Sequence, residues 1–341
     1  MPVGFSQGLS FDRKRTNWSR TGYRPLAWCS WYPADDDADE IAPSPSWFKQ
    51  KPVAPNAPMK KSTDPRPLVL LSHGSGGLAT GLEWLGYRLA QAGFVALGID
   101  HHGHTGSEPY KAEGFLCLWE RAADLTALLD ANDWREVLGG TVENHACVAG
   151  FSAGAYTAML LVGARVAYSQ FEPDNPQKSP IRGPREFPDL ADHIPSLLQD
   201  EIFLESWNRR RDSFRDDRLK AALAIAPGRS VLGFARESLE EITTPVQVVG
   251  GDADVIAPAH ECCTWLHENV RFSSMEIMKG GVGHYTFLPE PTPLGLRVSP
   301  AVFTDAAGVV RENVHNHVAQ IAVAFFTAAR RGNLGESQAL A

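Results

Sequence analysis

Ser152 sits in Gly150-Phe151-Ser152-Ala153-Gly154. This is the G-x-S-x-G spacing of a sharp strand-to-helix turn that holds a serine hydroxyl out into a pocket. The flanking glycines have a physical reason: such a turn is strained and runs close to its neighbours, so a Cβ on either side would collide. A serine hydroxyl is a weak nucleophile until a base takes its proton and a third group orients that base. The pentapeptide alone is a common pattern, so the base, the acid and the scaffold must come from elsewhere in the chain.

Serine turns of this kind are followed along the chain by the acid and then the histidine. The apolar run Val246–Gly250 leads into Gly251-Asp252-Ala253-Asp254-Val255-Ile256-Ala257-Pro258, which offers two carboxylates. Asp254 is favoured, because Gly-x-x-Asp-x-x-x-Pro places it beyond a strand tip and just before a helix. Asp252 reads as a turn-capping residue. The expected base is His284, in the glycine-rich Lys279-Gly280-Gly281-Val282-Gly283-His284-Tyr285 after a later strand. His260 and His267 fall on a helical stretch and read as surface residues.

Acyl transfer also needs preorganised N–H groups for the developing oxyanion. Ala153, directly after the nucleophile, is one expected donor. The second is expected from Ser72-His73-Gly74-Ser75-Gly76-Gly77, where Ser75 is favoured and Gly76 is the alternative. A phosphate-binding reading of this loop fails for want of a following Gly-Lys-Ser/Thr. His73, Phe151 and Tyr285 adjoin these motifs and are expected to line a substrate pocket, together with Phe203 and Trp207 farther along. The histidines of Asp100-His101-His102-Gly103-His104 could suggest zinc, but no Cys or Glu stands at a suitable ligand spacing. They read instead as a brace for the rim of the site, and neither metal nor cofactor is expected.

The elements that must position these residues follow from hydrophobic patterning. Apolar runs at Leu68–Ser72, Phe94–Ile99, Ala146–Phe151, Ala221–Ala226, Val246–Gly250 and Ser273–Met278 predict strands. Several are nearly continuous in aliphatic residues, as strands covered on both faces are. Helical spacing at Leu82–Ala92, Leu116–Leu129, Ala155–Val166, Ala259–Glu268 and Val310–Arg330 predicts crossover and closing helices. The aromatic stretch Pro25–Tyr32 predicts an antiparallel edge strand paired with the N-terminal segment. Two stretches break the alternation. Residues 34–66 are rich in Pro, Asp and Lys and read as an irregular surface excursion. Residues 168–218 are an insertion, helical near Ile194–Arg215, placed to act as a lid. A single domain spanning 1–341 is expected.

The chain has 341 residues, 43% hydrophobic and 21% charged, which suits a globular enzyme with a large core. Its net charge of -8 argues against nucleic acid and anionic membranes as partners. Cys29, Cys117, Cys147, Cys262 and Cys263 show no C-x-x-C spacing and read as free thiols. The first residues lack a basic segment followed by an apolar one, and no run is long enough to span a membrane, so a cytoplasmic location is expected.

With these motifs in order, the sequence resembles the α/β-hydrolase superfamily. More narrowly it is similar to the dienelactone-hydrolase group related to plasma-type platelet-activating-factor acetylhydrolases. The resemblance rests on Arg24-Pro25-Leu26 leading to Trp31-Tyr32-Pro33-Ala34, on His73–Gly77, and on Asp100–His104. It extends through Arg121-Ala122-Ala123-Asp124, Gly150–Gly154, Asp217–Ala222 before Ala226-Pro227, Gly251–Pro258, and His284-Tyr285-Thr286-Phe287-Leu288. It implies an α/β fold with a mostly parallel central sheet flanked by helices. It also implies a serine hydrolase acting on esters, with Ser152, Asp254 and His284 as the triad. Two departures stand out: dienelactone hydrolases proper use cysteine where this chain has Ser152, and many relatives carry a leader that is not visible here. The expected activity is hydrolysis of a small-molecule carboxylic ester through an acyl-enzyme. Amide hydrolysis is the alternative, and a catalytically inactive binding protein of the same fold is the remaining one.

Overall fold

The computed structural model describes residues 1–44, 46–176 and 178–332. Among the described residues, nine strands form one sheet in the order β3-β1-β2-β5-β4-β6-β7-β8-β9. They are β1 (Val3–Thr16), β2 (Tyr23–Pro33), β3 (Ala54–Pro55), β4 (Arg66–Ser72), β5 (Val95–Asp100), β6 (Val142–Phe151), β7 (Leu219–Ile225), β8 (Val246–Gly251) and β9 (Ser273–Met278). The six strands from β4 to β9 pair in parallel. β1 and β2 form an antiparallel hairpin, and β2 joins the parallel part by pairing antiparallel with β5.

Alternation along the strands divides the core between the two faces. Leu68, Leu70, Val148, Ala222 and Val248 point to one face, and Val69, Leu71, Ala149, Leu223 and Val249 to the other. On the second face lie α1 (Glu83–Gln91), through Leu85 and Leu89, and the C-terminal helix, through Val318, Phe325 and Phe326. The first face is covered by α3 (Glu120–Asp130), α5 (Ala153–Leu161) and α9 (Ala259–Asn269), through Leu125, Leu128, Met159, Leu160, Cys262 and Leu266. Each fully buried side chain of this size contributes about 1.5–3 kcal/mol, so the strand ends that carry the site are held by a stiff platform.

The helix expected over Leu116–Leu129 is two pieces. α2 (Ala112–Leu116) ends at Cys117, whose φ of -89° and ψ of 60° leave the helix before α3 begins. The helix expected to reach Val166 stops at Leu161, and Gly163 follows at φ 122°. The insertion helix expected over Ile194–Arg215 is likewise broken into α6 (Ile194–Leu197) and α7 (Glu201–Asn208). The Asp200 carboxylate caps α7 by accepting from the Ile202 and Phe203 amides, both at 3.0 Å.

Four helices had no counterpart in the hydrophobic pattern because they are short. They are α4 (Asp133–Leu138), α8 (Arg236–Glu240), α10 (Pro293–Val298) and α11 (Pro300–Phe303). The last two carry the legible signal of a proline in the first turn. α12 (Arg311–Arg330) closes the order. The described residues between 34 and 65 are irregular apart from β3 and isolated bridges such as Ala34 to Met59. Among the described residues all five cysteines are buried and unbridged, and no helix is long and apolar enough to cross a membrane.

Candidate active site

Ser152, Asp254 and His284 follow the C-terminal ends of β6, β8 and β9, where parallel sheets leave a crevice. Ser152 has φ 54° and ψ -113°, a left-handed conformation that costs a non-glycine residue about 1–3 kcal/mol. The flanking glycines are required by contact. A Cβ on Gly150 would lie 1.9 Å from the Gly154 carbonyl oxygen, and one on Gly154 would lie 1.8 Å from that of Ser72.

The three side chains form a continuous chain of hydrogen bonds. Ser152 Oγ lies 3.0 Å from His284 Nε2, and His284 Nδ1 lies 2.6 Å from Asp254 Oδ2. The other oxygen of Asp254 accepts from the Ile256 and Ala257 amides at 2.9 and 2.7 Å. With the carboxylate as acceptor, the proton sits on His284 Nδ1 and leaves Nε2 free to take one from serine. Asp254 and His284 are buried, whereas Ser152 keeps partial access to solvent.

Asp252, expected to cap its own turn, instead reaches across to another loop. Its carboxylate accepts from the Gly280, Gly281 and Val282 amides, each at 3.0 Å, and so ties the loop carrying His284 to the loop carrying Asp254. Burial works against its charge, but these amide donors outweigh it and hold its pKa below the usual carboxylate range. The same histidine loop is pinned from behind by His315, whose Nε2 donates to the Thr286 carbonyl at 2.9 Å. His260 is exposed. His267 is half-buried and pairs with Ser273 Oγ at 3.0 Å, away from the triad.

The loop after β4 makes a turn in which the Gly77 amide donates to the Gly74 carbonyl at 3.2 Å. His73 is buried, with Nδ1 donating to the Gly74 carbonyl at 2.7 Å and Nε2 accepting from the His101 amide at 3.2 Å. Burial, together with the Arg121 charge, keeps it neutral. Ala153 is the first residue of α5, where an N–H has no partner within the helix. His101 and His104 are fully buried and engaged with Asp124, Ser72, Arg121 and Ser75. His102 pairs with Glu108 at 2.7 Å.

A cavity of about 860 Å³ opens above Ser152. Its walls include His73, Phe151 and Tyr285, as expected from sequence. They also include residues that sequence did not single out: Trp47 and Phe48 from the irregular excursion, Phe115 after β5, and Val302 and Phe303 from α11. Among the insertion residues, Phe171 and the segment around Arg185 and Glu186 line it. Glu186 packs over Gly76, and Arg185 lies 5.7 Å over the Tyr285 ring.

Phe203 and Trp207, expected to line the pocket, do not. They stack on each other at 5.4 Å and turn inward against Trp119, whose Nε1 donates to the Ser206 carbonyl at 3.0 Å. The reason is that α7 packs its aromatic face against Trp119, the residue just before α3. The extended half of the insertion, not its helical half, forms the cavity wall.

A protein-family model described as "Serine aminopeptidase, S33" matches residues 63–171, the stretch from β4 through the serine turn and α5. Among solved structures, a ferulic acid esterase from Streptomyces cinnamoneus superposes with a TM-score of 0.63 at 18% identity. The match covers 95% of this chain and 89% of that one. A Klebsiella pneumoniae protein provisionally described as a dienelactone hydrolase gives 0.49 at 13% identity, covering 94% of this chain and 98% of that one. No curated protein matches the chain in sequence. With its parallel sheet, its serine turn after a central strand and this likeness over nearly its whole length, the chain has the α/β-hydrolase fold.

Proposed function

We propose that the protein is a serine hydrolase that cleaves a carboxylic ester through an acyl-enzyme. The observation that carries this reading is the continuous Ser152–His284–Asp254 hydrogen-bond chain at the floor of a largely apolar cavity. His284 Nε2 takes the Ser152 proton as Oγ attacks the ester carbonyl, while Asp254 holds Nδ1–H and stabilises the imidazolium. The oxyanion is received by the N–H groups of Ala153 and Ser75, with Gly76 as the alternative to Ser75. His284 then protonates the departing alkoxide, and water repeats the sequence to release the acid. No step calls on a metal or cofactor.

The ferulic acid esterase supports an ester substrate through its shared fold. A cavity of about 860 Å³ with aromatic walls suits an ester with a bulky apolar portion. The aminopeptidase description of the matched family favours amide cleavage as a second reading. A free α-ammonium group would need an unpaired carboxylate. Among the described residues lining the cavity the one carboxylate is Glu186, which already accepts from Arg185 at 3.1 Å. The ester reading therefore ranks first, and matched ester and amide substrates separate the two. Ser152→Ala should abolish hydrolysis of p-nitrophenyl esters and labelling by a fluorophosphonate; turnover near the wild-type rate in that variant refutes the assignment.

A further inference from the structure

Arg121 lies in α3, away from the triad, and is 1% exposed. A buried guanidinium is costly unless its donors are satisfied. Four neutral groups satisfy this one. Nε donates to Thr157 Oγ1 at 3.1 Å, Nη1 to His104 Nδ1 at 3.0 Å, and Nη2 to Ser72 Oγ at 3.2 Å and to the His73 carbonyl.

Three of these partners, Thr157, Ser72 and His73, fall on the two segments that carry the proposed oxyanion donors, and the fourth, His104 in the loop after β5, reaches Ser75. Thr157 Oγ1, while accepting from Arg121, donates to the Ala153 carbonyl at 3.0 Å, at the start of α5. His104 accepts at Nδ1, so its proton is on Nε2, which donates to Ser75 Oγ at 3.0 Å. Ser72 and His73 lead directly into the glycine loop. Behind them, Ser72 donates to His101 Nε2 at 2.9 Å, and His101 Nδ1 donates to Asp124 at 3.2 Å.

We propose that Arg121 is a positioning residue for the oxyanion hole, acting on Ala153 through Thr157 and on Ser75 through His104. One rigid, planar fork then sets the distance between two amides from different parts of the chain. The packing of α3 alone would not require this, because Arg121 turns its polar end toward the loop and not toward a carboxylate. The inference rests on the oxyanion role given above to Ser75 and Ala153.

The test compares wild type with Arg121→Lys, Thr157→Val and His104→Asn. Arg121→Lys keeps the charge but loses the fork. His104→Asn keeps an acceptor near Nδ1 and loses the donor to Ser75. Rates on a p-nitrophenyl ester are normalised to sites titrated by a fluorophosphonate, so that misfolded protein does not count. Misplacing one oxyanion donor should lower kcat per site by about 10- to 100-fold, less than the roughly 10²–10³ for deleting one. KM should stay within about threefold, because the ground state is bound elsewhere. Inhibition by a trifluoromethyl ketone, whose adduct carries the oxyanion, should weaken by the same factor as kcat/KM. A purely structural role would lower Tm and leave kcat per site unchanged. If Arg121→Lys fails to fold, Thr157→Val and His104→Asn still decide. Wild-type kcat per site in the folded variants overturns the inference alone, whereas a wild type without Ser152-dependent turnover overturns the ester reading with it.

Discussion

At the scale of single residues, the buried histidines include one hydrogen-bonded to Ser152, the proposed nucleophile, and others that burial keeps neutral. His315 is the clearest of the second kind. It is 2% exposed, stacks on Trp84 with ring centroids 4.3 Å apart, and is pushed by burial down to about 3. His101, also buried, is pushed down to about 3 as well. In the unfolded chain each would titrate near pH 6.5. As pH falls below about 6.5, the unfolded state therefore takes up protons that the native state refuses, and stability falls until the folded pKa is reached. His315→Gln keeps a donor for the Thr286 carbonyl but cannot titrate. It should flatten the decline of Tm between about pH 6.5 and pH 4 relative to wild type; an unchanged slope would show that His315 does not carry this linkage.

At the scale of elements, loops after β8 and β9 must bring an acid and a base to a serine after β6. Asp252 performs part of that joining by holding three consecutive amides of the histidine loop. Asp252→Ala removes these acceptors without touching the triad. Because a misplacement of about 1 Å can cost on the order of 100-fold in rate, kcat should fall about 10- to 100-fold while the fold persists by circular dichroism. Full activity would mean that His315 and the surrounding packing suffice to place His284. The insertion, by contrast, is two elements with separate tasks: its extended half walls the cavity and its helical half fills the space over α3.

At the scale of the whole molecule, the antiparallel hairpin, α3 and α7 are joined by a buried charge network. Asp124 accepts from Arg24 at 2.5 Å and from Arg15 at 2.7 Å, while Glu120 accepts from Arg15 at 2.7 Å and from Arg209. Burial opposes ionisation of Asp124, but Arg24 and Arg15 outweigh it and hold its pKa well below the usual carboxylate range. Asp124→Ala would leave two largely buried guanidinium groups short of a partner and free His101 from its anchor. A destabilisation of about 3–5 kcal/mol is expected in urea unfolding. A loss below about 1 kcal/mol would show that the remaining carboxylates and water compensate.

The individual strands, the serine turn and the motifs carrying the candidate triad were legible in the sequence alone, because each of these signals is local in the chain, whereas the pairing of the strands and the meeting of the three side chains are not. Aliphatic strands declare themselves by composition, and a turn at φ 54° flanked by crowded backbone admits only glycine at its two neighbours. Tertiary structure decided which side chains reach the cavity. Trp47, Phe48 and Phe303 come from segments without periodicity, and nothing nearby in sequence marks them as facing Ser152. Phe203 and Trp207 had the right chemistry for a pocket, yet α7 turned them onto Trp119, since a short amphipathic helix faces whatever apolar surface lies beneath it. Arg121 was visible as a motif residue, but its reach to both oxyanion segments exists only once α3, α5 and the loop after β4 are packed together.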